Sequence, residues 1–289
     1  MRLSNGSDRA EALAVYVSGK NILAVLNERN LQGTAVVRLW KNGSLQTITS
    51  QDRSAYAHSA FFGDKDVFVA GYENNSEGRP SARLWKNGVA QSLSSEKNDS
   101  AAFSVFVSDG DVYAAGTEKT PQMPTAAKLW KNGVGQNLSG PGIESHARSV
   151  YVSGGDVYVV GHEYTENGPH AAKLWINGDG TFLGGSDKWT TANSVYVSGG
   201  DVYAAGYEIT PPAKTTAKLW INGAGHSLGD ENSDSVAKSV FVSGADVYVA
   251  GEERGPDGKT FPRLWKNGVS QSLATESPGG GANAVFLKR

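Results

Sequence analysis

Apolar and polar positions along this chain repeat every 45 residues. Leu-Trp falls at Leu39-Trp40, Leu84-Trp85, Leu129-Trp130, Leu174-Trp175, Leu219-Trp220 and Leu264-Trp265, with Asn-Gly following each pair. An alanine recurs at 12, 57, 102, 147, 192, 237 and 282, one copy more than the Leu-Trp pairs. Each unit reads as four short strands. In the fourth unit, SVYVS (Ser149 to Ser153) is followed by a Gly-Gly turn, DVYVVG (Asp156 to Gly161), a longer loop and AAKLW (Ala171 to Trp175). The Asn-Gly turn then leads into a last strand ending at Leu183. Asn-Gly suits a two-residue hairpin because both central residues need positive φ. The first two strands are apolar on both faces, which predicts sheets covered on both sides, and no stretch has helical spacing.

Four antiparallel strands per unit predict an all-β fold, a six-bladed β-propeller with blades stacked face to face. A linear solenoid is the competing architecture, but it calls for distinct capping units that the terminal copies do not supply. One domain is expected over 1–289, with repeats starting near 12, 57, 102, 147, 192 and 237 and a surplus first strand at 282–287. The order VYVSGGDVYVAGYE, AKLWKNG, Leu resembles the repeat of NHL-type six-bladed propellers. It is also similar to uncharacterised bacterial proteins of near-identical repeats, often exported. The resemblance implies the fold alone. NHL units usually carry an Asp-x-x-x-Asn-x-Arg segment where these loops begin with glutamate, so no functional residue transfers.

Composition narrows the chemistry. Glycine supplies 36 of 289 residues, against a usual share of about 7%, and the turns absorb the excess. The absence of cysteine removes disulfides, thiolate nucleophiles and cysteine metal sites. A net charge of −2 offers no general attraction to nucleic acid or anionic membranes. No apolar run approaches the ~20 residues of a membrane span, and the N-terminal stretch lacks the apolar core of a secretory signal. From the resemblance, an extracytoplasmic bacterial location is the expectation. A monomer is expected, with no cofactor.

Recurrence within the chain separates frame from variation. The residue after each recurring alanine changes: Leu13, His58, Phe103, Arg148, Asn193, Lys238 and Asn283. Read as the first residue of the innermost strand, each is expected to ring the mouth of a central channel. Asn27, Tyr72, Thr117, His162, Tyr207 and Glu252, at the end of the second strand, vary likewise. Trp189 is the tryptophan outside the Leu-Trp register. A constant frame presenting diverse side chains is how repeat proteins build binding surfaces. The ligand-binding candidates are His58, Phe103, Arg148, Asn193, Lys238, Asn283, Tyr72, His162, Tyr207 and Trp189. Free drift of exposed positions is the bland alternative.

Constant positions read as structure. The six Leu-Trp pairs are expected to pack between blades. Glu28, Glu73, Glu118, Glu163, Glu208 and Glu253 face bases at 38, 83, 128, 173, 218 and 263 and predict ion pairs, with a cation-binding carboxylate ring as the sharper alternative. Asp66, Asp111, Asp156, Asp201 and Asp246 are expected to accept turn hydrogen bonds. His146, His162 and His170 fall in one unit and form the one weak metal or acid–base candidate. No nucleophile elbow, zinc-helix, EF-hand, phosphate-loop or dinucleotide motif occurs. The expected function is a non-enzymatic binding or scaffold module for a protein, glycan or small anionic ligand. A channel-mouth hydrolase or lyase, and a duplicated or engineered scaffold without a ligand, are the alternatives.

Overall fold

In the computed structural model, the described residues are 10–18, 20–63, 65–166, 168–230, 233–255, 257–274 and 280–285. They form six four-stranded sheets in which consecutive strands pair antiparallel, and no helix occurs among them. The chain is all-β, with six blades of the β-propeller class. Two compact units are distinguished, residues 1–137 with the first three blades and 138–289 with the last three. Blade 4 stands for all: its strands span Ser145–Ser153, Asp156–Tyr164, His170–Ile176 and Asp179–Phe182.

The third-to-fourth-strand turn is fixed by its asparagine. Asn177 has φ 52° and Gly178 φ 96°, the positive values a type I′ hairpin requires. The Asn177 side chain also joins this turn to the preceding one. Its Oδ1 accepts the Val157 N–H at 2.9 Å, and its Nδ2 donates to Asp156 Oδ1 at 2.8 Å. Asn87, Asn132, Asn222 and Asn267 make the same two bonds with their own aspartates. In blade 1, Asn42 uses Asn21 instead. The recurring aspartates are thus acceptors for a side chain of the neighbouring turn.

Hydrophobic packing runs between successive blades of each unit. Trp85 packs with Val25, Val37 and Ile48 of the blade before it, and Trp130 with Ala70, Ala82, Leu84 and Leu93. In the second unit Trp220 meets Val160, Leu174 and Leu183, while Trp265 meets Ala205, Leu219 and Leu228. All six register tryptophans are buried, whereas Trp189 is 43% exposed. Blade 1 departs from this rule on one face. Val15 and Val17 are 49% and 43% exposed, while Val150 and Val195, the register equivalents of Val15, are each 4% exposed. Val195→Ala, which empties a place in the core between blades 4 and 5, is therefore expected to cost about 2 kcal/mol and Val15→Ala less than about 0.5. Urea titration of the two variants checks this, and equal losses would contradict it.

Residues 282–285 lie against blade 6. The Ala282 N–H donates to the Gly251 carbonyl at 3.0 Å and the Val285 N–H to Ser239 Oγ at 3.4 Å. Val240 to Ser194 and Val195 to Ser149 show the same relation between successive first strands. The segment thus takes the place of a further first strand, but among the described residues it has no second strand to pair with and no strand forms there. Residues 286 and 287 of the expected extra strand lie outside the described residues.

Candidate functional site

The variable residue after each recurring alanine sits inside its strand, not at its start. In blade 4, pairing begins at Ser145 opposite Glu163 and continues through His146–His162 and Ala147–Gly161. It then slips by one residue, so Ser149 meets Val160 and Arg148 is left unpaired. The same irregularity recurs at positions 13, 58, 103, 193 and 238. Each is a β-bulge, which kinks the strand and re-aims one side chain out of the ladder. The expected strand start fails because residues upstream of the alanine still find partners on an equally extended second strand.

The bulge explains the glycine opposite it. A Cβ on Gly71, Gly116, Gly161, Gly206 or Gly251 would lie 1.8–2.0 Å from a carbonyl oxygen of the first strand. These glycines stand within the second strand, where the kinked partner presses closest. Blade 1 has Leu26 in their place.

The bulge side chains have different surroundings. In the first unit Leu13 packs against the core, while His58 lies 5.1 Å from the Phe103 ring and 5.7 Å from Tyr72. Burial lowers the His58 pKa and raises that of Tyr72. In the second unit Asn193 donates its amide to the Ala237 carbonyl at 2.9 Å, which ties it to the next blade. Lys238 pairs with Glu252 at 2.6 Å and reaches Asn283 at 3.2 Å. Arg148 is exposed and Tyr207 half-buried. Asn193 and Lys238 are therefore committed to local contacts, whereas His58, Phe103 and Arg148 remain presented.

Blade 4 gathers the three histidines into an aromatic column. His146 stacks on His162 at 4.7 Å, His162 meets His170 at 4.7 Å, and His170 meets Trp189 edge-on at 4.9 Å. Tyr164 flanks His162 and His170 at 6.1 and 5.3 Å. Burial, followed by the charges of His146, Arg148 and His170, pushes His162 down to about 2. Burial and Arg148 also lower His146 and His170, with Glu144 opposing the shift at His146. His162 Nδ1 and both His170 nitrogens are buried without a hydrogen-bond partner. The first two rings stack and the others meet tilted or edge-on, and among the described residues no three His, Cys, Asp or Glu side chains are placed to hold a metal ion.

The recurring glutamates are all paired with the expected bases. Arg38–Glu28 is 2.5 Å, Lys128–Glu118 2.8 Å, Lys218–Glu208 2.9 Å and Arg263–Glu253 2.9 Å. Arg83 lies 3.6 Å from Glu73, and Lys173 bonds Glu163. With a cation already at each carboxylate, these positions serve the blades rather than a shared metal.

An open cavity of about 780 Å3 lies in the loops of blade 4, between Pro141, Ile143, Glu144, Tyr164, Glu166 and Phe182. Ile143, Tyr164 and Phe182 lie away from the variable positions beside the recurring alanine. A signal was present. Where blade 4 has Phe182, the other units have Thr47, Ser92, Asn137, Ser227 and Ser272. Ile143 corresponds to Arg53, Asn98, Lys188 and Ser233, and Tyr164 to Arg29, Asn74, Lys119, Ile209 and Arg254.

No family model and no curated protein sequence matches this chain. Solved structures do resemble it. Against TolB from Acinetobacter baumannii the TM-score is 0.52 at 14% identity, covering 91% of this chain and 65% of that one. Against a puromycin hydrolase it is 0.61 at 11% identity, covering 97% of this chain and 49% of the other. The chain thus spans less than two thirds of either protein. At these identities the likeness is one of fold, and fold alone assigns no chemistry.

Proposed function

We propose that the protein is a non-enzymatic binding module of NHL-like repeats, which engages its partner through bulge side chains and the adjacent long loops. One observation carries this reading: the same bulge, held by the same glycine, presents a different side chain in successive blades. The backbone device stays constant while the displayed chemistry changes, as a surface selected for recognition requires. A protein or glycan fits a surface of this kind within one unit. For a small anionic ligand, Lys238 is already compensated by Glu252, so attraction would fall to Arg148.

The test uses the presented residues. A His58→Ala, Phe103→Ala variant of the first unit is expected to stay folded with a thermal midpoint a few degrees below native, since His58 is exposed while the Phe103 ring beside it is half-buried. It should lose binding across a glycan array and a defined peptide panel. Undiminished binding by the variant would refute the reading. Ester or lactone turnover by the native chain that disappears in the variant would replace it with an enzyme.

A further inference from the structure

We infer that the blade 4 cavity is a seat for an organic cation, an alkylammonium or guanidinium group on an apolar stem. This deepens the binding-module reading and rests on it.

The repeat supplies its own control. Five other units share the frame, so residues peculiar to blade 4 stand out against it. Ile143, Tyr164 and Phe182 replace mostly polar or basic residues of the other blades, and all three line one cavity. One loop residue and two strand ends have thus exchanged polar for apolar or aromatic groups around a single space. Ile143 and Tyr164 are 39% and 40% exposed, which costs solvation unless something covers them.

The carboxylates give the sign of the occupant. Glu144, Glu163 and Glu166 line the cavity, and the lysine that reaches its wall, Lys173, is held by Glu163. Glu163 is compensated by Lys173. Among the described residues, Glu144 has as ion-pair partner His146 at 3.7 Å, an imidazole that burial and Arg148 disfavour as a cation. Glu166 is exposed on the loop beyond Tyr164. Two negative charges therefore face an aromatic ring and an apolar wall, the combination that holds ammonium and guanidinium groups by charge and cation–π attraction.

The wall already contains one worked instance of this chemistry. Lys173 Nζ lies 4.7 Å over the Phe182 ring while bonding Glu163. In blade 5 the corresponding Lys218 reaches Ser227, a serine, at 3.0 Å. Blade 4 has thus put an aromatic ring beneath its own lysine. Tyr164 with Glu144 and Glu166 offers the same partners to a cation from outside. Behind Tyr164, the rings of His162 and His170 hold the tyrosine in place, so little ordering remains for the ligand to impose.

Calorimetry and NMR titration of the full chain test this with N-acetyl-lysine methylamide, N-acetyl-arginine methylamide, choline and, as neutral control, N-acetyl-glutamine methylamide. The cations are expected to bind and the control to fail. Tyr164→Ala and a Glu144→Gln, Glu166→Gln pair should each weaken binding by about tenfold, and Tyr164→Phe by less than about threefold. Capped residues binding more tightly than choline identify a peptide side chain as the source; the reverse identifies a free amine. Because the altered residues are exposed, thermal midpoints should stay near native. No cation binding at millimolar concentration, or binding indifferent to these variants, would overturn the inference. If the bulge-residue test still succeeds in that event, the module reading stands without the cation seat. A glycan whose binding needs Tyr164 but neither carboxylate would likewise overturn it.

Discussion

Gly161→Ala is expected to destabilise the protein by at least about 3 kcal/mol, a large share of the total stability of an ordinary domain. The added Cβ would sit 1.8 Å from the His146 carbonyl oxygen, 2.8 Å from its carbon and 3.1 Å from Ala147 Cα. All three obstacles are backbone, so no rotamer change relieves the clash. Either the first two strands part, which breaks the ladder around His146–His162 and Ala147–Gly161, or the bulge moves. Moving it by one residue would turn the strand's side chains to the opposite face and expose Val150, now 4% exposed. Gly63 provides the contrast: its nearest neighbour to an added Cβ is the Asp66 carbonyl oxygen at 3.5 Å, an ordinary contact. Gly63→Ala should therefore be neutral or stabilise slightly, by up to about 1 kcal/mol through loss of unfolded-state freedom. Urea midpoints of the two variants decide the matter. A small and equal effect would mean that the strands do not approach this closely.

The bulge also marks where sequence reasoning stops. The period, the blade count, the Asn-Gly hairpins and the six buried tryptophans were legible because each is imposed by local backbone geometry or by burial, and recurs in every copy. The Glu–base pairs were legible because both partners flank one hairpin. A bulge is a mismatch in count between two strands. It shows only once Ala147 is set opposite Gly161 and Ser149 opposite Val160. Hence the variable residue was placed at the start of a strand that begins three residues earlier. Asn193 and Lys238 were expected to be presented to ligand for a related reason. Their partners, the Ala237 carbonyl and the Glu252 carboxylate, lie 44 and 14 residues away, and side-chain reach across a blade is absent from any linear pattern. The blade 4 cavity was half legible. Its exceptional residues stand out in the sequence, but their convergence depends on two strand ends and the Ile143 loop being folded against one another.

Lowering the pH from 7.5 to 4.5 is expected to cost the protein on the order of 3 kcal/mol through His162 alone. Burial and the neighbouring positive groups hold this imidazole at about 2 in the folded chain, against about 6.5 when unfolded. Between those values the unfolded chain binds a proton that the folded chain refuses, so stability falls as pH falls. The contribution is fully present above pH 6.5. At pH 4.5 the loss spans about two pH units at about 1.36 kcal/mol each. His146 and His170 are shifted in the same direction and steepen the fall. His162→Phe keeps a ring between His146 and His170 but removes the titrating nitrogen. Its stability should therefore depend less on acid, recovering on the order of 3 kcal/mol of the difference between the two pH values. The buried Nδ1 without a hydrogen-bond partner also gives the variant no polar contact to lose on that side. Imidazole NMR provides an independent reading, because His162 should remain neutral at pH 5 in the folded chain. A titration midpoint near 6.5, or an unchanged acid dependence in His162→Phe, would show that the column is open to water. A closed column ties blade 4 to neutral pH: the rings that support Tyr164 pack as neutral groups, and a proton forced onto His162 would place a charge between two imidazoles and close to Arg148.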